Sequence, residues 1–169
     1  MDFLEKDLEQ IIFNADREEL SKRGLVVRGR LKRQLRIGNY GIADLVSIEV
    51  EQYPNFSEVG FGHKLNITIY ELKKDRIGIS TFAQAMKYVK GINRYLKKRY
   101  KESNIDWDFK VVLIGREIQE EGSFVYLPDF LYNKNQEELL ENYTYSYNEL
   151  GIHFEEHYHY KLVNEGFGI

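Results

Sequence analysis

Asp44, Glu71 and Lys73 are the residues whose types and spacing most clearly suggest chemistry. Asp44 lies within a segment of alternating apolar residues, where a lone carboxylate is costly unless it is paired or bound to a metal ion. Glu71 follows the apolar alternation of residues 65 to 69, and Lys73 lies two residues later. Because strand side chains two residues apart share a face, Glu71 and Lys73 should lie side by side. An antiparallel neighbour carrying Asp44 would bring all three together.

This combination of groups suits the hydrolysis of a phosphodiester bond. Two carboxylates supply hard oxygen ligands for Mg²⁺ or Mn²⁺, which polarises the phosphate and lowers the pKa of a bound water. A lysine beside that water could orient it or remove its proton, and burial and neighbouring cations would depress the lysine pKa for the second role. The three residues therefore predict a metal-dependent phosphodiesterase.

Hydrophobic periodicity indicates the elements that must position these residues. Apolar residues recur at helical spacing in the opening segment, which should end near residues 14 to 16, and over residues 81 to 100. Alternation and bounded apolar runs predict strands over residues 24 to 37, 42 to 51, 64 to 72, 108 to 114, 123 to 127 and 143 to 147. A tight turn at residues 38 to 41 should join the first two strands. Residues 1 to 169 are expected to form one α/β (mixed α+β) domain, with a mixed central sheet flanked by helices.

Within residues 42 to 50, strict alternation predicts two faces of one strand. Asp44 should share a face with Ile42 and Val46, whereas Ala43 should share the opposite face with Leu45. Asp44 would then be a carboxylate on a largely apolar face.

Charge is segregated along the chain. Residues 1 to 114 hold 21 basic and 16 acidic residues, and residues 115 to 169 hold 3 and 11. Two stretches, residues 21 to 40 and 84 to 101, each contain seven basic residues and no acidic residue. Such stretches can bind a polyanion despite a net charge of −3, because salt screens distant charges. Solvated helix and strand faces are an equally ordinary interpretation of the same stretches.

The chain has no cysteine, which excludes a disulfide framework and a thiolate zinc site. No uncharged apolar run approaches the roughly 20 residues that a membrane-spanning helix needs. We therefore expect a cytoplasmic protein that has no membrane partner.

Three runs, in this order along the chain, resemble the PD-(D/E)xK nuclease superfamily, which has the restriction-endonuclease-like fold: GIAD at 41 to 44, ELK at 71 to 73 and QAMKY at 84 to 88. The last run matches the QxxxY motif of a branch that includes archaeal-type mismatch endonucleases and helicase-linked exonucleases. The resemblance covers residues 2 to 118, and an acidic, Tyr-rich extension follows over residues 119 to 169. One departure is Ala43, where the superfamily pattern has proline.

The resemblance implies a role for each residue of the first two runs. Asp44 and Glu71 would bind Mg²⁺ or Mn²⁺, and the main-chain carbonyl of Leu72 would be a further ligand. Lys73 would act on the attacking water. The implied activity is hydrolysis of DNA, endonucleolytic in preference to exonucleolytic, in repair, restriction or mobile-element biology.

The resemblance also extends to two helices. Gln84 and Tyr88, one helical turn apart, would contact the water shell of the metal or the substrate phosphate. The opening segment resembles the first helix of that branch, which contributes an acidic residue to the site. Helical projection places Glu5 at the border of the apolar stripe and Glu9 further toward solvent, which favours Glu5 for this role.

DNA is the expected partner, and a homodimer is an optional assembly that the sequence does not specify. The residues expected to contact nucleic acid are basic residues of both stretches, namely Arg28, Arg30, Lys32, Arg33, Arg36 and Lys87. The alternation of Arg28, Arg30 and Lys32 is also typical of a charged edge strand that discourages aggregation. Alternatives to a deoxyribonuclease are the same site acting on RNA, an inactive nucleic-acid-binding member of the fold, and an interaction protein with an acidic tail.

Two other groups of residues allow alternative interpretations. His153, His157 and His159 could hold a metal ion, although a solvated edge strand explains them equally well. Several tyrosines of the extension could stack on bases or pack against the core: Tyr126, Tyr132, Tyr143, Tyr145, Tyr147, Tyr158 and Tyr160.

Overall fold

The computed structural model describes residues 4 to 55 and 60 to 157. Its helices are α1 Glu5–Asn14, α2 Arg17–Lys22 and α3 Ile79–Arg99. Its strands are β1 Arg30–Arg36, β2 Ile42–Asn55, β3 Gly60–Leu72, β4 Arg76–Ile77, β5 Ile105–Gly115, β6 Glu117–Ile118, β7 Leu140–Asn148 and β8 Gly151–Glu156. Two segments are 3₁₀-helical, Gly38–Tyr40 and Glu121–Phe130.

Six strands form one mixed sheet in the order β1-β2-β3-β5-β7-β8. Strands β1, β2 and β3 are antiparallel neighbours, β3, β5 and β7 run parallel, and β8 returns antiparallel to β7. The connection from β3 to β5 contains α3, since parallel neighbours need a long crossover. The short strands β4 and β6 pair in parallel as a separate ladder. The predicted α/β class, with a mixed sheet flanked by helices, is confirmed.

The sheet separates two hydrophobic clusters. The α1-side cluster joins Leu8 and Leu20 of the first two helices to Tyr70 and other strand residues. The α3-side cluster joins Ala85 and the strand residue Ile69. Tyr70 and Ile69 are consecutive, so β3 is buried on both faces. Each fully buried aliphatic side chain contributes about 1.5 to 3 kcal/mol of apolar burial, which fixes α1 and α3 on opposite sides of the sheet.

Helix ends are fixed by side chains close to them in the sequence. The side chain of Asp16 accepts hydrogen bonds from the backbone N–H groups of Glu18 and Glu19 and so begins α2. At the start of α3, the backbone N–H of Gly78 donates to Thr81 Oγ1 at 3.3 Å. These bonds satisfy donors that a helix leaves without an intrahelical partner.

Most of the predicted elements are present. Strands β2, β3, β5 and β7 contain the segments predicted for them. The opening helix and α3 overlap their predicted segments, with α3 ending one residue earlier, and β1 covers only residues 30 to 36 of the predicted 24 to 37. The strand predicted over residues 123 to 127 is wrong, because this stretch lies in the 3₁₀ segment. Gly122 and Ser123 there have φ values of 72° and 60°, which are incompatible with an extended strand. Within the described ranges, no helix has the length and apolar character needed to cross a membrane.

Candidate active site

The structure brings Asp44, Glu71 and Lys73 together at one end of the β2–β3 pair. The β2–β3 register ends with the pair Leu45 and Tyr70. Continued by one residue on each antiparallel strand, it places Asp44 opposite Glu71. Asp44 Oδ2 accepts a hydrogen bond from the backbone N–H of Leu72 at 3.0 Å. Lys73 Nζ donates to Glu71 Oε1 at 3.1 Å. The side chain of Leu72 is fully buried, so only its main chain can serve the site.

Asp44 lies at an irregular point of the β1–β2 ladder. Its neighbours Ala43 and Leu45 pack in the α3-side and α1-side clusters respectively, so the prediction that they share a face is wrong. On β1, Gln34 lies between the residues paired with Leu45 and Ala43. Gln34 has a φ of 49°, a left-handed conformation that is uncommon outside glycine. The strict alternation assumed from the sequence is therefore interrupted beside the candidate catalytic acid.

Glu71 is a buried carboxylate of which one oxygen has a hydrogen-bond partner and the other has none among the described residues. The residue is 1% exposed, and its Oε2 has no hydrogen-bond partner among the described residues. Burial and, next, the charge of Asp44 raise the pKa of Glu71 to about 7, although Lys73 acts in the opposite direction. A buried acceptor without a partner is costly, and a bound cation would remove that cost. The donor set and the unpartnered oxygen thus fit a hard divalent metal ion.

The pKa values of the other two groups follow from the same surroundings. Burial raises the pKa of Asp44, against the effects of the Leu72 N–H group and of Lys73. Burial alone would lower the pKa of Lys73, but Glu71, Glu5 and Asp44 outweigh it, so this pKa lies above its ordinary value. The depressed lysine pKa expected from the sequence is therefore wrong, because the charged neighbours of Lys73 are carboxylates instead of cations.

Of the acidic residues of α1, Glu5 lies near the site as expected, whereas Glu9 does not lie toward solvent. Glu5 is exposed, and its Oε1 accepts a hydrogen bond from the backbone N–H of Lys74 at 3.3 Å, just after β3. Glu9, predicted to lie further toward solvent, is 4% exposed. Arg33 Nε and Gln34 Nε2 both donate to its carboxylate. Glu5 thus lies at the rim of the site, and Glu9 joins α1 to β1 while its charge also raises the pKa of Asp44.

Helix α3 presents Gln84 and Tyr88 to the site. Gln84 Nε2 donates a hydrogen bond to the Tyr88 hydroxyl at 2.9 Å. Burial raises the pKa of Tyr88, the Gln84 bond opposes this, and the charges of Glu71 and Asp44 raise it further. Gly41 has a φ of 116°, and a Cβ there would lie 3.1 Å from Tyr88 Cε1, so glycine lets the ring approach β2.

The basic residues expected to contact nucleic acid do not form one row. Arg30 and Lys32 pair with β2 residues that pack on the α3 side, and both are exposed. Arg28 precedes Gly29, whose φ is 73°, and borders a groove on the opposite face beside Tyr70. The single face suggested for Arg28, Arg30 and Lys32 is therefore interrupted at Gly29.

The remaining basic positions differ in what they contact. Arg33 is half-buried and engaged by Glu9, so its guanidinium already has a partner within the fold. Arg36 and Lys87 are exposed. Lys87 Nζ lies 5.6 Å from the centre of the Tyr88 ring, which places this ammonium beside the α3 wall of the site.

The histidines and tyrosines of the extension have separate environments. His157 Nε2 lies 2.7 Å from Thr144 Oγ1, His153 is half-buried on β8, and His159 falls outside the described residues. Across the described part of the chain, no group of three or more His, Asp or Glu side chains is arranged to hold a metal ion. Tyr143 and Tyr145 are buried, as packing residues would be, and three tyrosines are exposed: Tyr126, Tyr132 and Tyr147. Tyr158 and Tyr160 lie outside the described residues.

Tyr145 supports the site in a way that no local pattern indicates. Its hydroxyl donates a hydrogen bond to the backbone carbonyl of Lys74 at 2.7 Å, which fixes the chain that leaves Glu71 and Lys73. The two partners are 71 residues apart, so only the three-dimensional structure relates them. The alternation of β7 could have predicted that Tyr145 is buried, but not what it binds.

Comparison with known proteins found no matching family model, no matching curated protein and no matching solved structure. The function is therefore inferred from the residues of the site and their geometry.

Proposed function

We propose that this chain is a Mg²⁺- or Mn²⁺-dependent nuclease that hydrolyses phosphodiester bonds of DNA. The observation that supports it most is the buried Glu71 oxygen without a partner among the described residues, held beside Asp44 and Lys73 at the end of two strands. Two carboxylates and an ammonium at one point match the needs of a phosphate substrate and its metal ion.

The carboxylates of Asp44 and Glu71 would hold the metal ion, together with the main-chain carbonyl of Leu72. When bound, the ion polarises the phosphate and makes a bound water more acidic. Glu5 lies at the rim of the site and would support it through a water molecule. This arrangement needs no further protein carboxylate, because Mg²⁺ usually retains several waters.

The other side chains act on the substrate. The raised pKa of Lys73 keeps its ammonium charged near neutral pH, so it stabilises negative charge on the phosphate and orients the attacking water. Tyr88 holds Gln84 through its hydroxyl, and the amide of Gln84 then lies on the α3 wall where the phosphate would enter. Lys73 therefore acts through its charge, and Gln84 and Tyr88 act by positioning the phosphate.

The decisive test is metal-dependent cleavage of supercoiled plasmid and of linear DNA. We expect cleavage with Mg²⁺ or Mn²⁺, none in excess EDTA, and a loss of about a hundredfold or more in Asp44→Asn. Asp106→Asn is the matched control, because Asp106 is an exposed aspartate paired with Lys134 at 3.4 Å away from the site. Wild-type cleavage that persists in EDTA would contradict the proposal, and cleavage of RNA alone would change the substrate.

Salt dependence tests whether the exposed β1 residues meet the phosphate backbone. Replacing Arg30 and Lys32 together by alanine should reduce the slope of log affinity against log salt by about 0.9 for each phosphate that these side chains neutralise. The control is Lys22→Ala, since Lys22 pairs with Glu18 at 2.8 Å on α2. If the slope is the same in the wild type, the double variant and Lys22→Ala, then Arg30 and Lys32 belong to a solvated edge strand and do not contact the phosphate backbone.

A further inference from the structure

A second cavity lies at the same end of the sheet as the candidate active site. Its volume is about 740 Å³, and its walls are β4, β6, the 3₁₀ segment and β7. Much of this wall belongs to the extension beyond residue 118, outside the part of the chain that resembles the nuclease superfamily. The proposed catalytic roles use none of the residues that line it.

Strand register relates this cavity to Glu71. Glu71 pairs with Leu113 on β5, and Leu113 pairs with Asn142 on β7, so the three residues form one row across parallel strands. Neighbouring strands lie about 4.8 Å apart, so the Asn142 main chain is about 10 Å from that of Glu71. Leu113 and Leu140 pack in the α3-side cluster, and alternation along β7 puts Asn142 on that same face. A strand cleaved at Glu71 could therefore reach the cavity with a nearby nucleotide.

Asn142 is the residue that points to a ligand. It lines the cavity and is only 2% exposed, and its Oδ1 has no hydrogen-bond partner among the described residues. Its backbone carbonyl, in contrast, accepts a bond from the His157 N–H at 2.9 Å. A buried acceptor without a partner is costly, and a ligand that brings an N–H donor would satisfy it.

The charges around the cavity select the kind of ligand. Glu117, Glu120 and Glu121 line it, and Arg76, the one arginine or lysine among its described lining, lies 3.4 Å from Glu121. This acidic lining disfavours a phosphate and favours a neutral group with an exposed donor. Tyr126 lines the cavity and is 47% exposed, and a tyrosine ring is a kind of surface on which planar bases stack.

We propose that this cavity binds a nucleobase with an exocyclic amino group, from the nucleic-acid strand that is cleaved at Glu71. The amino group donates to Asn142 Oδ1, and the base stacks on Tyr126. The inference rests on the proposed nuclease function for the source of the base. The recognition chemistry itself requires only the cavity.

Binding in EDTA tests the cavity without cleavage. Fluorescein-labelled single-stranded oligodeoxyadenylate should bind about tenfold more tightly than the matching oligonucleotide of 2′-deoxynebularine, whose purine base carries a hydrogen atom in place of the amino group. Tyr126→Ala should weaken binding of the adenylate by about tenfold. The matched control is Tyr132→Ala, because Tyr132 is 49% exposed and lies outside the cavity. Equal binding of the two oligonucleotides, or equal effects of the two alanine variants, would overturn the proposal.

Asn142→Leu separates ligand recognition from folding. It should abolish the preference for adenine over unsubstituted purine, and it should raise Tm by about 2 to 4 °C because a costly unpartnered acceptor is removed. A structural role for Asn142 predicts a lower Tm, and that result or a retained base preference would overturn the assignment. If adenosine monophosphate binds as tightly as the oligonucleotide, the claim that the base comes from a nucleic-acid strand would be overturned. A wild-type protein that shows the base preference but does not cleave nucleic acid would contradict only the nuclease function.

Discussion

Replacing Glu71 by glutamine is expected to reduce DNA cleavage by at least a hundredfold while making the protein more stable at pH 8. The amide cannot serve as an anionic metal ligand, so about 2.7 kcal/mol or more of transition-state stabilisation should be lost. The amide also carries no charge, so the variant no longer keeps a carboxylate buried beside Asp44. A substitution that lowers activity and raises stability is typical of a functional residue that destabilises the folded protein.

The direction of the pH dependence follows from the raised pKa. The folded-state pKa of Glu71 is about 7, against an ordinary 4.5, so the protonated form favours folding. This contribution is complete below pH 4.5 and is lost as the pH rises through 7. A shift of this size corresponds to roughly 3 kcal/mol, shared with Asp44 because the two acids titrate as a pair. Urea unfolding of both proteins at pH 4.5, 6 and 8 should show a stability difference that grows with pH.

Glu141→Gln is the matched control for this experiment. Glu141 is also a largely buried glutamate with a raised pKa, caused first by burial, and it pairs with Lys110 at 2.5 Å. It borders the groove on the opposite side of the sheet, so its replacement should leave cleavage unchanged. Glu71→Gln that cuts at the wild-type rate would exclude this carboxylate as a ligand. A variant less stable than the wild type at pH 8 would show that Glu71 is well satisfied in the folded protein.

The sequence is informative where periodicity alone determines burial. The central strands β3 and β5 and helix α3 are predictable because their apolar residues recur at strand or helix spacing over many residues. The β-propensity of residues 123 to 127 predicts a strand, but Gly122 and Ser123 adopt left-handed φ values and Pro128 follows. The sequence leaves residues 151 to 156 open between an edge strand and a metal site, because their pairing with β7 depends on a long-range partner.

For the candidate site, the sequence predicts which acids meet but not their surroundings. Asp44 and Glu71 are expected on adjacent antiparallel strands, and they lie there. The burial of Glu9 cannot be predicted from α1 alone, because Arg33 and the neighbouring Gln34 on β1 supply the donors. The pKa of Lys73 likewise depends on which charges surround it in space, including one from the opening helix.

The second large effect is expected at Lys73, where charge and proton transfer can be distinguished. Lys73→Met should reduce the single-turnover cleavage rate by about a hundredfold, whereas Lys73→Arg should retain more than about a tenth of it. The reason is that the ammonium of Lys73 is held charged by carboxylates, so its contribution is electrostatic, and a guanidinium also provides positive charge. DNA affinity should change much less than the rate, because the charge matters most as the transition state forms.

Lys110→Met is the control, since Lys110 is also a partly exposed lysine paired with a glutamate, but on the other side of the sheet. It should cut at the wild-type rate. Equal losses in Lys73→Arg and Lys73→Met would contradict the electrostatic role, because arginine stays protonated and cannot remove a proton from water. Such a result would mean that the metal-bound site lowers the pKa of Lys73 enough for it to act as the base. Wild-type rates in both Lys73 variants would contradict a role of this lysine in cleavage altogether.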